Sequence, residues 1–193
     1  MGRWEPDSRG RLEQAAFALF AERGYENTTV AEIAERAGLT ERTFFRQYSD
    51  KREVLFAGGS EFQELVVSAI ASAPASLPPI DAVAAGLDAA AALLQKRRAF
   101  ARMRQAIIAA NAEVRERELI KLASLSAAIA DTLRGRGLAD PAASLTAEVA
   151  IAVFRGAFER WLDDGNQLGL PQIMRESLDE LKALLSTPAP VHA

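Results

Sequence analysis

The amino-acid sequence predicts an all-α fold, and three observations support this prediction. Alanine, the residue with the highest helix propensity, is abundant through most of the chain, whereas aromatic residues make up only 7%. Apolar residues recur at helical spacing in successive segments, and glycine, proline and capping residues separate those segments. The 193 residues, 49% of them hydrophobic, suffice for one large domain or two small ones.

The first predicted helix is capped by Ser8 and ends at Gly24. Its apolar residues follow the spacing i, i+3, i+4, i+7, i+8 and form a single stripe: Leu12, Ala15, Ala16, Leu19 and Phe20. Such a stripe indicates a helix that packs one face on a core.

Two short helices follow. Thr29 and Glu32 have the spacing of a capping box, which places the start of a helix after Thr29. Gly38 then supplies the left-handed residue of a sharp turn, and Thr40 caps the next helix. Two short helices joined by a tight glycine turn predict a helix-turn-helix.

The second of these helices has two distinct faces. Phe44 and Tyr48 are four residues apart and share one face, so we expect them to anchor the helix in a core. Arg42, Thr43 and Arg46 lie on the opposite face, and the fork of an arginine matches the O6 and N7 acceptors of guanine. Arginines on a helix face are commonly only solvated. The prediction of DNA binding therefore depends on the whole sequence of features: the striped first helix, the capping box, the glycine turn, the basic helix anchored by aromatic residues, and the capped, basic start of the next helix.

A fourth helix is predicted from Lys51 to about Ser72, with Asp50 and Glu53 as its capping pair. Gly58-Gly59 lies inside it, although each glycine costs about 1 kcal/mol relative to alanine in a helix. Either the two glycines let a neighbouring helix approach closely, or they form a soft point that a ligand can exploit.

The remaining chain predicts five more helices, over residues 81–95, 97–110, 113–135, 141–164 and 171–186. Asp140-Pro141 is expected to be an N-cap followed by proline at the first helical position. Residues 1–7 are predicted to form a flexible arm and residues 187–193 a disordered tail.

Composition argues against several functional classes. There is no cysteine, the only histidine is His192, and no glycine-rich phosphate loop is present, so we expect no enzyme activity, no cofactor and no metal site. We see no signal peptide and no apolar run of about 18 residues, which predicts a cytoplasmic protein. The net charge of −3 gives no hint of nucleic acid, so DNA binding depends on where the charges lie.

The segment from Arg11 to Phe56, RLEQAAFALFAERGYENTTVAEIAERAGLTERTFFRQYSDKREVLF, resembles the DNA-binding domain of the TetR family of bacterial transcriptional regulators. The resemblance implies an N-terminal three-helix DNA-binding domain, residues 1–56, and a C-terminal helical regulatory and dimerisation domain, residues 57–193. It further implies a homodimeric repressor that a small molecule releases from a palindromic operator in double-stranded DNA.

The resemblance also implies which residues contact DNA. Base contacts are expected from Thr40, Glu41, Arg42, Arg46 and Gln47. Phosphate contacts are expected from Thr29, Thr43, Phe45, Tyr48 and Lys51. Phe45 departs from the family, which often has tyrosine there. A phenyl ring cannot donate a hydrogen bond to a phosphate as a tyrosine hydroxyl can. The hydroxyl of Tyr48, where the family often has phenylalanine, is a candidate to take part of that role.

Two further sites are expected in the C-terminal domain. The apolar faces of the last two helices predict a dimer interface made by Phe154, Phe158, Trp161, Met174, Leu178 and Leu181. The alternative is that both faces belong to the core of one chain. A ligand pocket is expected around Phe100, Met103, Arg104, Ile107 and Asn111.

Two rival functions stay open at this point. One is an activator or ligand-independent regulator of the same fold. The other is a helical module whose basic helix binds a protein partner and no DNA.

Overall fold

The computed structural model describes residues 7–186, and these residues form helices joined by turns, with no strand among them. The helices are α1 Ser8–Arg23, α2 Val30–Arg36, α3 Glu41–Gln47, α4 Lys51–Leu55, α5 Gly59–Ser72, α6 Pro79–Gln95, α7 Arg98–Ala110, α8 Ala112–Gly135, α9 Ala142–Leu162 and α10 Leu170–Ser186. The all-α prediction is confirmed. The predicted N-terminal arm, except Asp7, and the predicted C-terminal tail lie outside the described residues.

The chain divides into two compact units. The first contains the described residues up to Gly59 and a later segment, Met103–Glu118. The second contains Ser60–Arg102 and the described chain from Leu119 onward. The first unit therefore includes the C-terminal part of α7 and the start of α8.

The apolar stripe of α1 forms part of the core of the first unit. Leu12 and Ala16 are fully buried, and Ile33 of α2 and Phe44 of α3 are buried with them. The rings of Phe17 and Phe20 meet edge to face, with centroids 5.8 Å apart. Helices α1, α2 and α3 thus pack on one another as the periodicity predicts.

Most of the predicted capping signals of this unit are present. The Thr29 side chain accepts from the backbone N–H of Glu32, whose carboxylate accepts from the Thr29 N–H, which completes the capping box. Thr40 caps α3 by accepting from the N–H of Thr43 at 3.2 Å. Asp50 caps α4 by accepting from the first backbone N–H groups of that helix.

Two predicted caps are different in the structure. Asp7, and not Ser8, is the N-cap of α1, because its carboxylate accepts from the N–H of Gly10 at 2.9 Å. Glu53 does not return to the Asp50 backbone; its carboxylate accepts a hydrogen bond from Arg117 of α8. The Glu53 carboxylate thus bonds to a residue distant in sequence, Arg117, and not to the N-terminus of its own helix.

The predicted helix from Lys51 to Ser72 is two helices. It breaks after Leu55 because Gly58 has a positive φ of 77°, a conformation that a helix cannot contain. A Cβ atom built on Gly58 or Gly59 would meet no atom within 4 Å. Close packing therefore does not explain the two glycines. The break falls at the end of the first of the two chain segments that make up the first unit.

The core of the second unit is formed mainly by α6, α9 and α10. Trp161 of α9 and Leu170 and Ile173 of α10 are fully buried. The guanidinium groups of two α7 arginines bind the C-terminal end of α9, where backbone carbonyls lack helical partners: Arg98 donates to the Trp161 carbonyl at 2.8 Å and Arg102 to the Leu162 carbonyl at 2.9 Å.

The later helices begin and end within two residues of the predicted bounds. Pro141 is the N-cap of α9 and not its first helical residue, so the predicted proline position is wrong by one residue. None of the helices in residues 7–186 has the length and apolar character that crossing a membrane requires.

Candidate nucleic-acid interface

Helix α3 is held on the first unit by its two predicted aromatic anchors. Phe44 is fully buried, Tyr48 is 5% exposed, and their ring centroids lie 5.5 Å apart. The Tyr48 hydroxyl donates a hydrogen bond to the Glu13 carboxylate of α1 at 2.9 Å. The anchors therefore fix both the rotation of α3 about its axis and its attachment to α1.

This arrangement opposes the predicted phosphate contact of Tyr48. Its single hydroxyl proton is already donated to Glu13, and burial raises the pKa of the hydroxyl above its ordinary value. We therefore assign Tyr48 to the anchor of α3 and not to the DNA surface.

The turn between α2 and α3 is fixed by backbone and side-chain hydrogen bonds. Gly38 has φ 65°, and the Leu39 N–H donates to the Ala34 carbonyl at 2.8 Å. The guanidinium of Arg11, on α1, donates to the carbonyls of Ala37 and Gly38. The sequence predicted the glycine turn, but no local pattern pointed to Arg11, which lies 26 residues before Ala37.

The side of α3 away from its anchors faces solvent. Five of its residues are exposed: Glu41, Arg42, Phe45, Arg46 and Gln47. The N-cap Thr40 is exposed too, and its hydroxyl lies 3.1 Å from that of Thr43. All five predicted base-contacting residues, which are Thr40 and four residues of α3, are thus exposed.

Arg42 and Arg46 differ from the other arginines between Ser8 and Gly59. Neither has an acidic or carbonyl partner among the described residues. The others are all engaged: Arg9 with Glu13, Arg11 with two carbonyls, Arg23 with Glu32, Arg36 with Glu22, and Arg52 with Asp50. Two unpaired guanidinium groups on an exposed helix are available to an external acceptor.

The residues predicted to contact phosphates differ in exposure and in their hydrogen bonds within the protein. Thr29 is exposed, but its hydroxyl and its N–H both bond to the Glu32 carboxylate at 2.8 Å. Thr43 is half-buried next to Thr40. A phosphate at either residue would exchange these internal hydrogen bonds for new ones, so both contacts stay predictions.

Lys51 is bound to the loop between α1 and α2. Its ammonium donates to the carbonyls of Tyr25 at 2.8 Å and Thr28 at 3.0 Å, and it lies 4.3 Å from the centre of the Tyr25 ring. A third carbonyl, that of Glu26, lies 3.4 Å away. Because an ammonium has three N–H donors, this geometry makes Lys51 a positioning residue for the loop that leads to Thr29.

The residues of the predicted ligand pocket do not come together in one unit. Phe100 belongs to the second unit, and the other four belong to the first. Arg104 is half-buried, donates to the Leu55 carbonyl at 2.8 Å and pairs with Glu118 at 3.1 Å. Asn111 donates to the Ile107 carbonyl at 2.7 Å. The polar groups that were expected to face a ligand are bonded within the protein.

Three of the predicted dimer residues lie in the core of the second unit. Trp161 is fully buried, and Met174 and Leu178 are nearly so. A side chain that is already covered by its own chain has no surface left for a partner. The alternative of an intramolecular core therefore describes these three residues, while Phe154, Phe158 and Leu181 are only partly buried.

A short helix that is anchored by aromatic residues, follows a tight glycine turn and presents unpaired arginines defines a helix-turn-helix DNA-binding protein. Comparison with family models agrees with this class. Residues 13–57 match the model described as bacterial regulatory proteins of the tetR family. Residues 77–186, more than half of the chain, match the model described as the MftR C-terminal domain. The chain belongs to the TetR family of transcriptional regulators.

Individual relatives show similarity of different kinds. The transcriptional regulator TcmR of Streptomyces glaucescens is 37% identical over 82 residues, which are 42% of this chain and 36% of TcmR. The chain thus spans about a third of the length of that curated relative.

Solved structures share the fold over most of the chain. A putative TetR-family regulator from Syntrophomonas wolfei has a TM-score of 0.71 at 15% identity and covers 96% of this chain and 98% of its own. The regulator FadR from Bacillus subtilis, solved in complex with stearoyl-CoA, has a TM-score of 0.64 at 18% identity and covers 89% and 96%.

Replacing Arg42 or Arg46 with alanine is expected to weaken binding to a specific operator by about 1–3 kcal/mol. Binding to random-sequence DNA should change less, because base contacts are lost and phosphate contacts remain. Fluorescence anisotropy with both duplexes at one salt concentration measures the two losses. Arg36→Ala, which removes an exposed arginine paired with Glu22, is the control and should have little effect. Equal losses on both duplexes would mean that the arginines bind phosphates.

Replacing Lys51 with methionine keeps the aliphatic stem and removes the ammonium. We expect the free energy of unfolding to fall by about 1.5–3 kcal/mol, because hydrogen bonds from a charged donor are lost. Operator affinity should fall while the slope of log K against log salt stays unchanged. A slope reduced by about one would instead identify a direct phosphate contact. Lys96→Met, in an exposed position of the second unit, is the matched control.

Proposed function

We propose that this TetR-family regulator binds an inverted-repeat operator as a homodimer and represses transcription until a small molecule releases it. The observation that carries the DNA-binding part is the pair of unpaired, exposed arginines on α3, Arg42 and Arg46. A helix fits the major groove of B-DNA, and arginine makes the commonest specific contact there. On this proposal the chain acts by binding and not by catalysis, in the cytoplasm.

The second unit offers a candidate place for the effector. Phe62 of α5 and Phe154 and Phe158 of α9 form a row of partly buried rings, with centroids 6.0 and 5.7 Å apart. Ligand sites are lined mainly by hydrophobic and aromatic side chains. Together with the stearoyl-CoA bound by FadR of Bacillus subtilis, this row favours a largely apolar effector.

Selection from a library of random duplexes tests the DNA-binding part of the proposal. The protein should enrich an inverted repeat with half-sites about one helical turn apart. The affinity for that repeat should fall steeply as salt rises, because phosphate counterions are released on binding. Failure to enrich any duplex would favour the rival function, a helical module that binds a protein partner.

Repression and activation require a separate measurement. A reporter gene placed behind the selected operator should be silent when the protein is present and active when it is absent. The opposite result would identify an activator of the same fold.

The outward surfaces of α9 and α10 are the candidate dimer interface. Leu145 of α9 is 63% exposed and Leu184 of α10 is 69% exposed. Ala152 and Gly156 share the face of α9 with Leu145, at seven and eleven residues from it, and a Cβ atom on Gly156 would meet nothing within 4 Å. Exposed leucines beside small residues suit the close approach of a second copy across a two-fold axis.

Leu145→Arg should place a charge in this interface and yield a monomer in sedimentation. A monomer should lose tight operator binding, because one subunit engages only one half-site. Leu119→Arg, in α8, changes a leucine that is 52% exposed and serves as the matched control. A Leu145→Arg protein that remains dimeric would exclude this face from the interface.

A further inference from the structure

The position of Phe45 is unusual for an aromatic side chain. It is 54% exposed, and it is the only aromatic residue of the described chain whose ring lies largely in solvent. The next residue back, Phe44, is fully buried as the anchor of α3, and the two ring centroids lie 5.6 Å apart. Phe45 therefore contributes little to the core, and its apolar surface is left uncovered.

The neighbours of Phe45 on α3 are the residues that face DNA in the proposed function. Arg42 lies three residues before it and Glu41 four residues before it, which are the spacings of adjacent side chains on a helix. Arg46 follows it directly. An apolar ring thus stands at the border of the surface that presents the two unpaired arginines.

A phosphate is a poor partner for this ring. A phenyl group has no hydrogen-bond donor. Contact with it would remove water from the phosphate oxygens without providing hydrogen bonds in its place. The edges of bases in the major groove offer one apolar group, the C5 methyl of thymine, and phenylalanine is among the side chains suited to contact it. Contact between the ring and this methyl would remove apolar surface of both from water.

We propose that Phe45 is a specificity-determining residue that recognises thymine through its C5 methyl group. This inference rests on the proposed function, because it requires α3 to enter the major groove. It replaces the phosphate contact implied at this position by an apolar base contact. The half-site then contains a thymine next to the base or bases that Arg42 reads.

The test is a double-mutant cycle between the protein and the DNA. The probe is the duplex enriched from the random library, in which each thymine of one half-site is replaced in turn by deoxyuridine, which lacks only the methyl. At one position the wild-type protein should bind about four-fold more weakly, as expected from about 0.8 kcal/mol per buried methyl-sized group. Phe45→Ala should bind the thymine duplex more weakly and show no further loss at that position.

Two controls separate a base contact from other effects. Phe45→Leu keeps an apolar side chain and should retain part of the dependence on the methyl. Affinity for random-sequence DNA should be the same for the wild type and Phe45→Ala. Because the ring is largely exposed, both variants are expected to fold, and thermal unfolding verifies this.

The outcomes are distinct. Loss of the methyl dependence in Phe45→Ala, at one thymine only, supports the inference. If no thymine depends on Phe45, or if the variant and the wild type lose equally at each deoxyuridine, the ring does not read a base and the inference is overturned. If no duplex is enriched at all, the proposed function fails, and the inference, which requires α3 to enter the major groove, is overturned with it.

Discussion

Burial of Phe44 and Tyr48 against the core of the first unit is the constraint on which the candidate DNA surface depends. An isolated helix as short as α3 would not be stable in water, because nucleation costs more than a few hydrogen bonds return. Burying one phenylalanine side chain contributes about 1.5–3 kcal/mol. The Tyr48–Glu13 hydrogen bond then fixes the helix in one orientation. With that orientation set, Arg42 and Arg46 can only point away from the protein.

The positive surface of α3 arises from the pairing of charges elsewhere in the unit. The chain as a whole carries a net charge of −3, so composition alone gives no indication of DNA binding. The acidic groups Glu22, Glu32 and Asp50 neutralise Arg36, Arg23 and Arg52, and hydrogen bonds from Arg36, Thr29 and Arg52 are the leading causes that lower the pKa values of these three carboxylates. Among the arginines between Ser8 and Gly59, the two without such a partner in the described residues, Arg42 and Arg46, both lie on α3.

Local signals in the sequence predicted the helices of the first unit well, since caps, glycine turns and apolar stripes act between residues a few positions apart. Predictions that depended on distant partners were less successful. Glu53 has the spacing of a capping residue, but it bonds to Arg117, 64 residues away. The faces that contain Trp161 on α9 and Leu178 on α10 are apolar as expected, yet periodicity cannot show whether the same chain or a second copy covers them. The five expected base-contacting residues are all exposed, because they are consecutive or nearly so along one short helix, α3, and its N-cap Thr40.

The first unit is discontinuous along the chain, and this matters for how a ligand could act. Residues Met103–Glu118 belong to it, held by Arg104 on the Leu55 carbonyl and by Arg117 on Glu53. Both bonds end on α4, the helix that follows α3. Since α7 and α8 each continue along the chain into the second unit, a ligand that shifts either helix acts on residues of the DNA-binding unit itself. Such a shift regulates DNA binding only if the ligand has different affinities for the two arrangements.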